Sequence, residues 1–82
     1  MEYLSEEKQY EKTLNSSEVT LIKDIELREI RCRYWEKFHQ AFLDEKHIPD
    51  WELESAINAI KNEELAEINA YRQKKELPIL TW

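Results

Sequence analysis

The chain contains no glycine. Glycine is the residue that enters left-handed backbone without steric cost and lets a main chain approach a ligand closely. Its absence excludes a P-loop, a dinucleotide-binding Gly-rich turn, and hairpins built on Asn-Gly or Asp-Gly. Helix is the regular structure that suffers least from this. At 82 residues the chain makes one domain, and a domain of that size buries only about 60–65% of its unfolded surface. It therefore folds with a thin margin or leans on a partner. The single cysteine, Cys32, excludes an intrachain disulfide and a Cys-based zinc finger.

The apolar positions predict an all-α chain in three parts: an N-terminal arm over 1–16, a helical hairpin over 17–76, and an extended apolar tail over 77–82. Ser5 with Glu6 and Glu7 is a helix start, so a short helix is expected at about 6–14, ended by Asn15-Ser16-Ser17. Ser16 or Ser17 then caps a second helix. Along it Leu27, Ile30, Tyr34, Phe38, Ala41 and Phe42 step by three or four onto one stripe, widened by Trp35. This helix is expected to end near Glu45 or Lys46.

His47-Ile48-Pro49-Asp50 is a turn and restart, with the proline at the first helical position and Asp50, Glu52 and Glu54 facing the positive end of the helix dipole. Leu53, Ile57, Ile60, Ile68 and Tyr71 continue the helical period. Lys61-Asn62-Glu63-Glu64 interrupts it, and a kink is expected there. Pro78 ends the helix, leaving Leu77 to Trp82 as the tail.

Two long helices joined by a short turn fold back antiparallel, and with the turn near 47–48 facing residues have numbers that add to about 95. Phe42 then faces Leu53, Phe38 faces Ile57, Trp35 faces Ile60, Ile30 faces Leu65 and Leu27 faces Ile68. The same rule sets Arg31 against Glu64, two charges inside apolar stripes. They are expected to form a partly buried ion pair that fixes the register, against the plainer alternative that both reach past the seam into water. Leu21, Ile25, Cys32 and Leu43 form a second apolar flank. It is able to receive the first helix or a second copy, the latter giving a homodimeric four-helix bundle.

Little in the chain suggests chemistry. Glu36-Lys37-Phe38-His39 has the spacing of a di-iron carboxylate ligand pair, but its ligands point away from the inward stripe. His47 has no second ligand at metal spacing, and Cys32 is expected to be a small core or flank residue. No catalytic residue, metal or cofactor is expected. The net charge of −6 opposes a nucleic-acid partner, since the basic clusters Arg28-Arg31-Arg33 and Arg72-Lys74-Lys75 are interleaved with Glu. The start Met1-Glu2-Tyr3-Leu4 is neither basic nor apolar enough for a secretory leader, and no apolar run nears the ~20 residues of a membrane span. The expected location is the cytosol.

The segment Leu65-Ala66-Glu67-Ile68-Asn69-Ala70-Tyr71-Arg72-Gln73, with Leu77-Pro78 and Thr81-Trp82 after it and Glu29-Ile30-Arg31 and Asp50-Trp51 upstream, resembles the C-terminal region of phage tail-assembly (tail-fibre assembly) chaperones. The resemblance covers the last third of the chain. It departs from the family in lacking a Leu-Arg-Asp after Tyr-Arg-Gln, in ending without proline, and in the long distance from Arg31 to Trp51. It implies a small non-catalytic factor that shields or matures another virion protein.

The expected function is that of a small acidic interaction module, an inhibitor, anti-defence protein or adaptor, which binds a protein partner through apolar and acidic surface. The expected partner-binding residues are Trp51, Leu77, Ile79, Leu80 and Trp82.

Overall fold

A computed structural model describes residues 2–43 and 49–82. It is all-α. Among the described residues a 3-10 turn at Lys8–Tyr10 precedes three helices, α1 (Ser16–Val19), α2 (Ile25–Leu43) and α3 (Asp50–Lys74). The expected hairpin is formed by α2 and α3, which pack together as the main contact of the fold. The expected end of its first helix near Glu45 or Lys46, and the His47-Ile48 turn, lie outside the described residues.

The N-terminal region departs from expectation. The helix expected at 6–14 is reduced to the 3-10 turn, and residues 11–15 are not helical. Ser5 does act as a start, accepting the Lys8 amide on its Oγ at 3.2 Å. The next helix is capped by Asn15, not by either serine. The Asn15 side chain accepts from the Glu18 amide at 2.8 Å, and Glu18 Oε1 accepts from the Asn15 amide at 3.1 Å. This is a reciprocal capping box. The helix lasts four residues, because Val19-Thr20-Leu21-Ile22 is rich in β-branched residues of poor helix propensity. A break there also lets both Val19 and Ile22 turn into the core. Asp24 then starts the long helix afresh, its carboxylate accepting from the Glu26 and Leu27 amides at 2.9 and 3.3 Å. The hairpin thus begins at Ile25, not at residue 17.

Pro49 is the N-cap of α3, one position earlier than expected, with extended backbone (φ −69°, ψ 156°). The helix runs uninterrupted through Lys61–Glu64, where a kink was expected. Its far end is a Schellman closure. The Leu77 amide donates to the Arg72 carbonyl at 2.8 Å and the Glu76 amide to that of Gln73 at 3.0 Å, with Glu76 at φ 62°. Chains that own a glycine usually place it at this left-handed position.

The core gathers at one end of the hairpin. Leu27, Ile30 and Tyr34 of α2 meet Ile68 and Tyr71 of α3, and Leu14, Val19 and Ile22 of the arm close over them. Burying each of the larger side chains contributes about 1.5–3 kcal/mol. Toward the turn the covering stops. Leu53 is still buried, but Phe42 and Leu43 are exposed. The expected second flank is therefore split, with Cys32 packed at the core's edge and Ile25 and Leu43 open to solvent. Three surface ion pairs bridge the helices in antiparallel order: Glu26 with Lys74 at 3.0 Å, Arg33 with Glu67 at 3.2 Å, and Lys37 with Glu63 at 3.6 Å. Each is solvated and contributes little.

Candidate functional site

Arg31 and Glu64 meet inside the seam, each 2% exposed. Arg31 Nε lies 3.2 Å from Glu64 Oε2. The contact is ionic only: Nε is out of line for a hydrogen bond, and among the described residues neither it nor Nη1 has a hydrogen-bond partner. Nη2 donates to the Glu11 carbonyl of the arm. Burial pulls the guanidinium pKa down and the facing Glu64 pulls it back up, and an arginine stays charged under such opposing effects. The other Glu64 oxygen is 3.2 Å from Lys61 Nζ, which also donates to the Lys12 carbonyl at 2.8 Å. Two cations and one anion thus share a site that the arm partly covers.

The tail returns to its own chain. The Asn69 side chain pairs with Leu80 in both directions, Nδ2 donating to the Leu80 carbonyl at 3.0 Å and Oδ1 accepting the Leu80 amide at 2.7 Å. Leu80 packs against the core. Arg72 Nε holds the Pro78 carbonyl at 2.8 Å. The Trp82 indole donates to the Tyr10 carbonyl at 2.9 Å and lies over Arg31, 5.5 Å from ring centroid to guanidinium carbon.

The five residues expected to bind a partner therefore part company. Leu80 and Trp82 are engaged within the chain, and an extended apolar tail here finds its acceptor in the arm and α3. Leu77 and Ile79 point outward from the same segment, Ile79 at 65% exposure. Trp51 is the most open, at 72%. It lies at the turn end of the hairpin, where α2 contributes the exposed Phe42 and Leu43. Phe42 packs edge-on against Phe38, with ring centroids 4.9 Å apart. Asp50, Glu52 and Glu54 surround Trp51 with exposed acid.

The remaining candidates occupy plain positions. His39 stacks on Trp35 at 5.0 Å and 9°, and Glu36 is exposed. Among the described residues no three His, Cys, Asp or Glu side chains are grouped to hold a metal. His47 lies outside the described residues. Cys32 is half-buried, and burial raises its thiol pKa, which opposes a reactive thiolate. Among the described residues no helix is long and apolar enough to cross a membrane.

Sequence reasoning missed Leu14, Val19 and Lys61, which surround the ion pair. The Asn15-to-Glu18 capping spacing was the one available signal that the arm turns there. No family model matches the chain, and neither a curated protein nor a solved structure matches it.

Proposed function

We propose that the protein is a non-catalytic interaction module that seats a protein partner on the turn end of its hairpin. The observation that carries this reading is the exposure of Trp51 in the first turn of α3, with Phe42 and Leu43 also exposed at the end of α2. Tryptophan is among the residues most enriched in binding hot spots, and one left this open to water is a candidate anchor. The rim of Asp50, Glu52 and Glu54 selects a partner whose own apolar patch is edged with Lys or Arg. An inhibitor or anti-defence protein that occupies a basic groove is one form of this function. A virion-assembly chaperone is the second reading, favoured by the exposure of Asp50-Trp51, residues that carry the resemblance to that family.

The test is capture of the partner from the native host by the whole chain, followed by photo-crosslinking from position 51 or 79 to locate the contact. Crosslinking at 51, and loss of capture in Trp51→Ala with helicity unchanged, support the proposal. Crosslinking at 79 alone, with Trp51→Ala still binding, moves the site to the tail and overturns it. Binding that weakens with added salt supports the acidic rim.

A further inference from the structure

Two adjoining hollows, of about 500 and 570 Å³, lie where the arm meets the tail. Both have Glu6, Tyr10 and Leu77 in their walls, so together they form one open groove. Tyr10 and Leu77 make its shared stretch apolar, and Leu80 extends the apolar surface on one side and Leu4 on the other. Leu77 is 41% exposed there. The groove exists because the tail folds back. Left-handed Glu76 turns the chain at the end of α3, and Asn69 pins Leu80.

Charge is unevenly spread along it. On the Leu4 side Glu6 and Asp24 are balanced by Lys23 and Lys75. On the Leu80 side Glu6, Glu7 and Glu11 are accompanied by one cation, Arg72. Arg72 is already engaged, its guanidinium carbon 4.5 Å from the Tyr10 ring centroid and its Nε on the Pro78 carbonyl. Glu11 is paired with Lys8 at 3.0 Å. Glu6 and Glu7 are exposed, and among the described residues neither has an ion-pair partner.

An apolar floor edged by two unpaired carboxylates is complementary to a ligand that is apolar and cationic at once. Lys and Arg side chains have that form, since the stem lies on apolar surface while the head reaches a carboxylate. Each hollow is larger than one side chain, which leaves room for a short peptide segment. An acidic segment is repelled by the same rim.

We propose that this groove is a second docking surface, which takes a short basic segment of a partner protein. Two Lys or Arg side chains lie over Tyr10, Leu77 and Leu80 with their heads at Glu6 and Glu7, and an apolar side chain beside them fills the floor. Trp51 and Arg72 stand near opposite ends of α3, about 30 Å apart along its axis at a rise of about 1.5 Å per residue. Failure here therefore leaves the proposed surface around Trp51 standing, and the reverse.

The probe is the capped peptide acetyl-Ala-Leu-Arg-Arg-Leu-Ala-amide. It is titrated into the whole isotope-labelled chain and followed by NMR at the backbone signals of Tyr10, Leu77 and Leu80. Peptides with Glu in place of both Arg, or Ser in place of both Leu, are the comparisons. Saturable shifts with a Kd below about 1 mM are expected for the first peptide, and binding at least about tenfold weaker for the other two. Glu6→Gln combined with Glu7→Gln is expected to weaken the first peptide at least about threefold. Leu77→Ser is expected to do the same by removing apolar floor. All three positions are exposed, and circular dichroism checks that helicity is kept. The proposal is overturned by the absence of saturable shifts, by shifts confined to Trp51 and its neighbours, by equal binding of either comparison peptide, or by unchanged binding in either variant. Groove signals that move with protein concentration alone, at the mass of a dimer, assign the groove to a second copy and also overturn it.

Discussion

Arg31 Nε lies 3.2 Å from Glu64 Oε2, and both side chains are almost wholly withdrawn from solvent. The two partners are not equivalent. Glu64 has a second cation in Lys61, whereas among the described residues Arg31 has only Glu64 as a counter-charge, with a carbonyl as its other acceptor. Removing one member of a buried pair costs about 3–5 kcal/mol when the other charge is stranded. Glu64→Leu strands Arg31 and is expected to reach that range. Arg31→Met leaves Glu64 paired with Lys61 and is expected to cost less. The double variant is expected to be milder than the two costs combined. Urea denaturation of the three variants measures this, and additive costs would show that the pair is uncoupled.

Glu76 holds a left-handed conformation at the end of α3, with φ 62°. A non-glycine residue there costs about 1–2 kcal/mol. Glycine removes that cost but adds about 0.5–1 kcal/mol of unfolded-chain entropy. Glu76→Gly is therefore expected to stabilise the protein by about 0.5–1 kcal/mol. Thermal unfolding checks the sign, and a lower Tm contradicts the closure described.

Asn69 is the clasp of the tail, meeting both the amide and the carbonyl of Leu80. Asn69→Ala leaves those groups without partners in a half-buried setting, at about 1–3 kcal/mol. Hydrogen exchange of the Leu80 amide is expected to accelerate, and the Trp82 emission to shift toward that of solvated indole. An unchanged exchange rate at Leu80 is the contrary result.

The Asp24 carboxyl is held below its ordinary pKa of 3.8, chiefly by the Tyr71 hydroxyl, against the opposing effect of burial. The folded pKa is thus below the unfolded one. The anion stabilises the fold above about pH 4, and that contribution is lost as the pH falls further. Asp24→Asn keeps a helix cap but removes the charge, so its stability is expected to fall less between about pH 5 and 3 than that of the parent. Melting curves over that range decide it.

Tyr34 and Tyr71 show the opposite sign. Burial, with neighbouring carboxylates, raises Tyr34 from 10.0 to about 12 and lifts Tyr71 as well. The neutral phenols favour the fold below pH 10, and this is lost as the pH rises toward 12. Absorbance titration is expected to show late phenolate formation that coincides with loss of helicity. Tyr34→Phe removes one late step. Phenolate formation complete near pH 10 with the helices intact contradicts the burial.

The hairpin was legible because helical period is local. Leu27, Ile30 and Tyr34 declare one face of α2, Ile68 and Tyr71 one face of α3, and a short connection leaves the antiparallel arrangement as the natural one. The same periodicity put Arg31 level with Glu64. The capping roles of Asn15 and Asp24 were not legible, because a caps-or-continues decision depends on whether Val19 and Ile22 gain more from a shared core than from one unbroken helix. That balance is set by residues far along the chain.

The sequence alone determined the two long helices, their facing stripes and the lack of a glycine for any sharp turn, all properties of spacing and side-chain type. Tertiary structure alone decided that Leu80 turns inward while Trp51 stays in water. It also decided that the arm covers half of the hairpin and meets the tail in a groove. Those outcomes rest on contacts between distant segments, whose free energy is a difference between burial and loop ordering that no local pattern records.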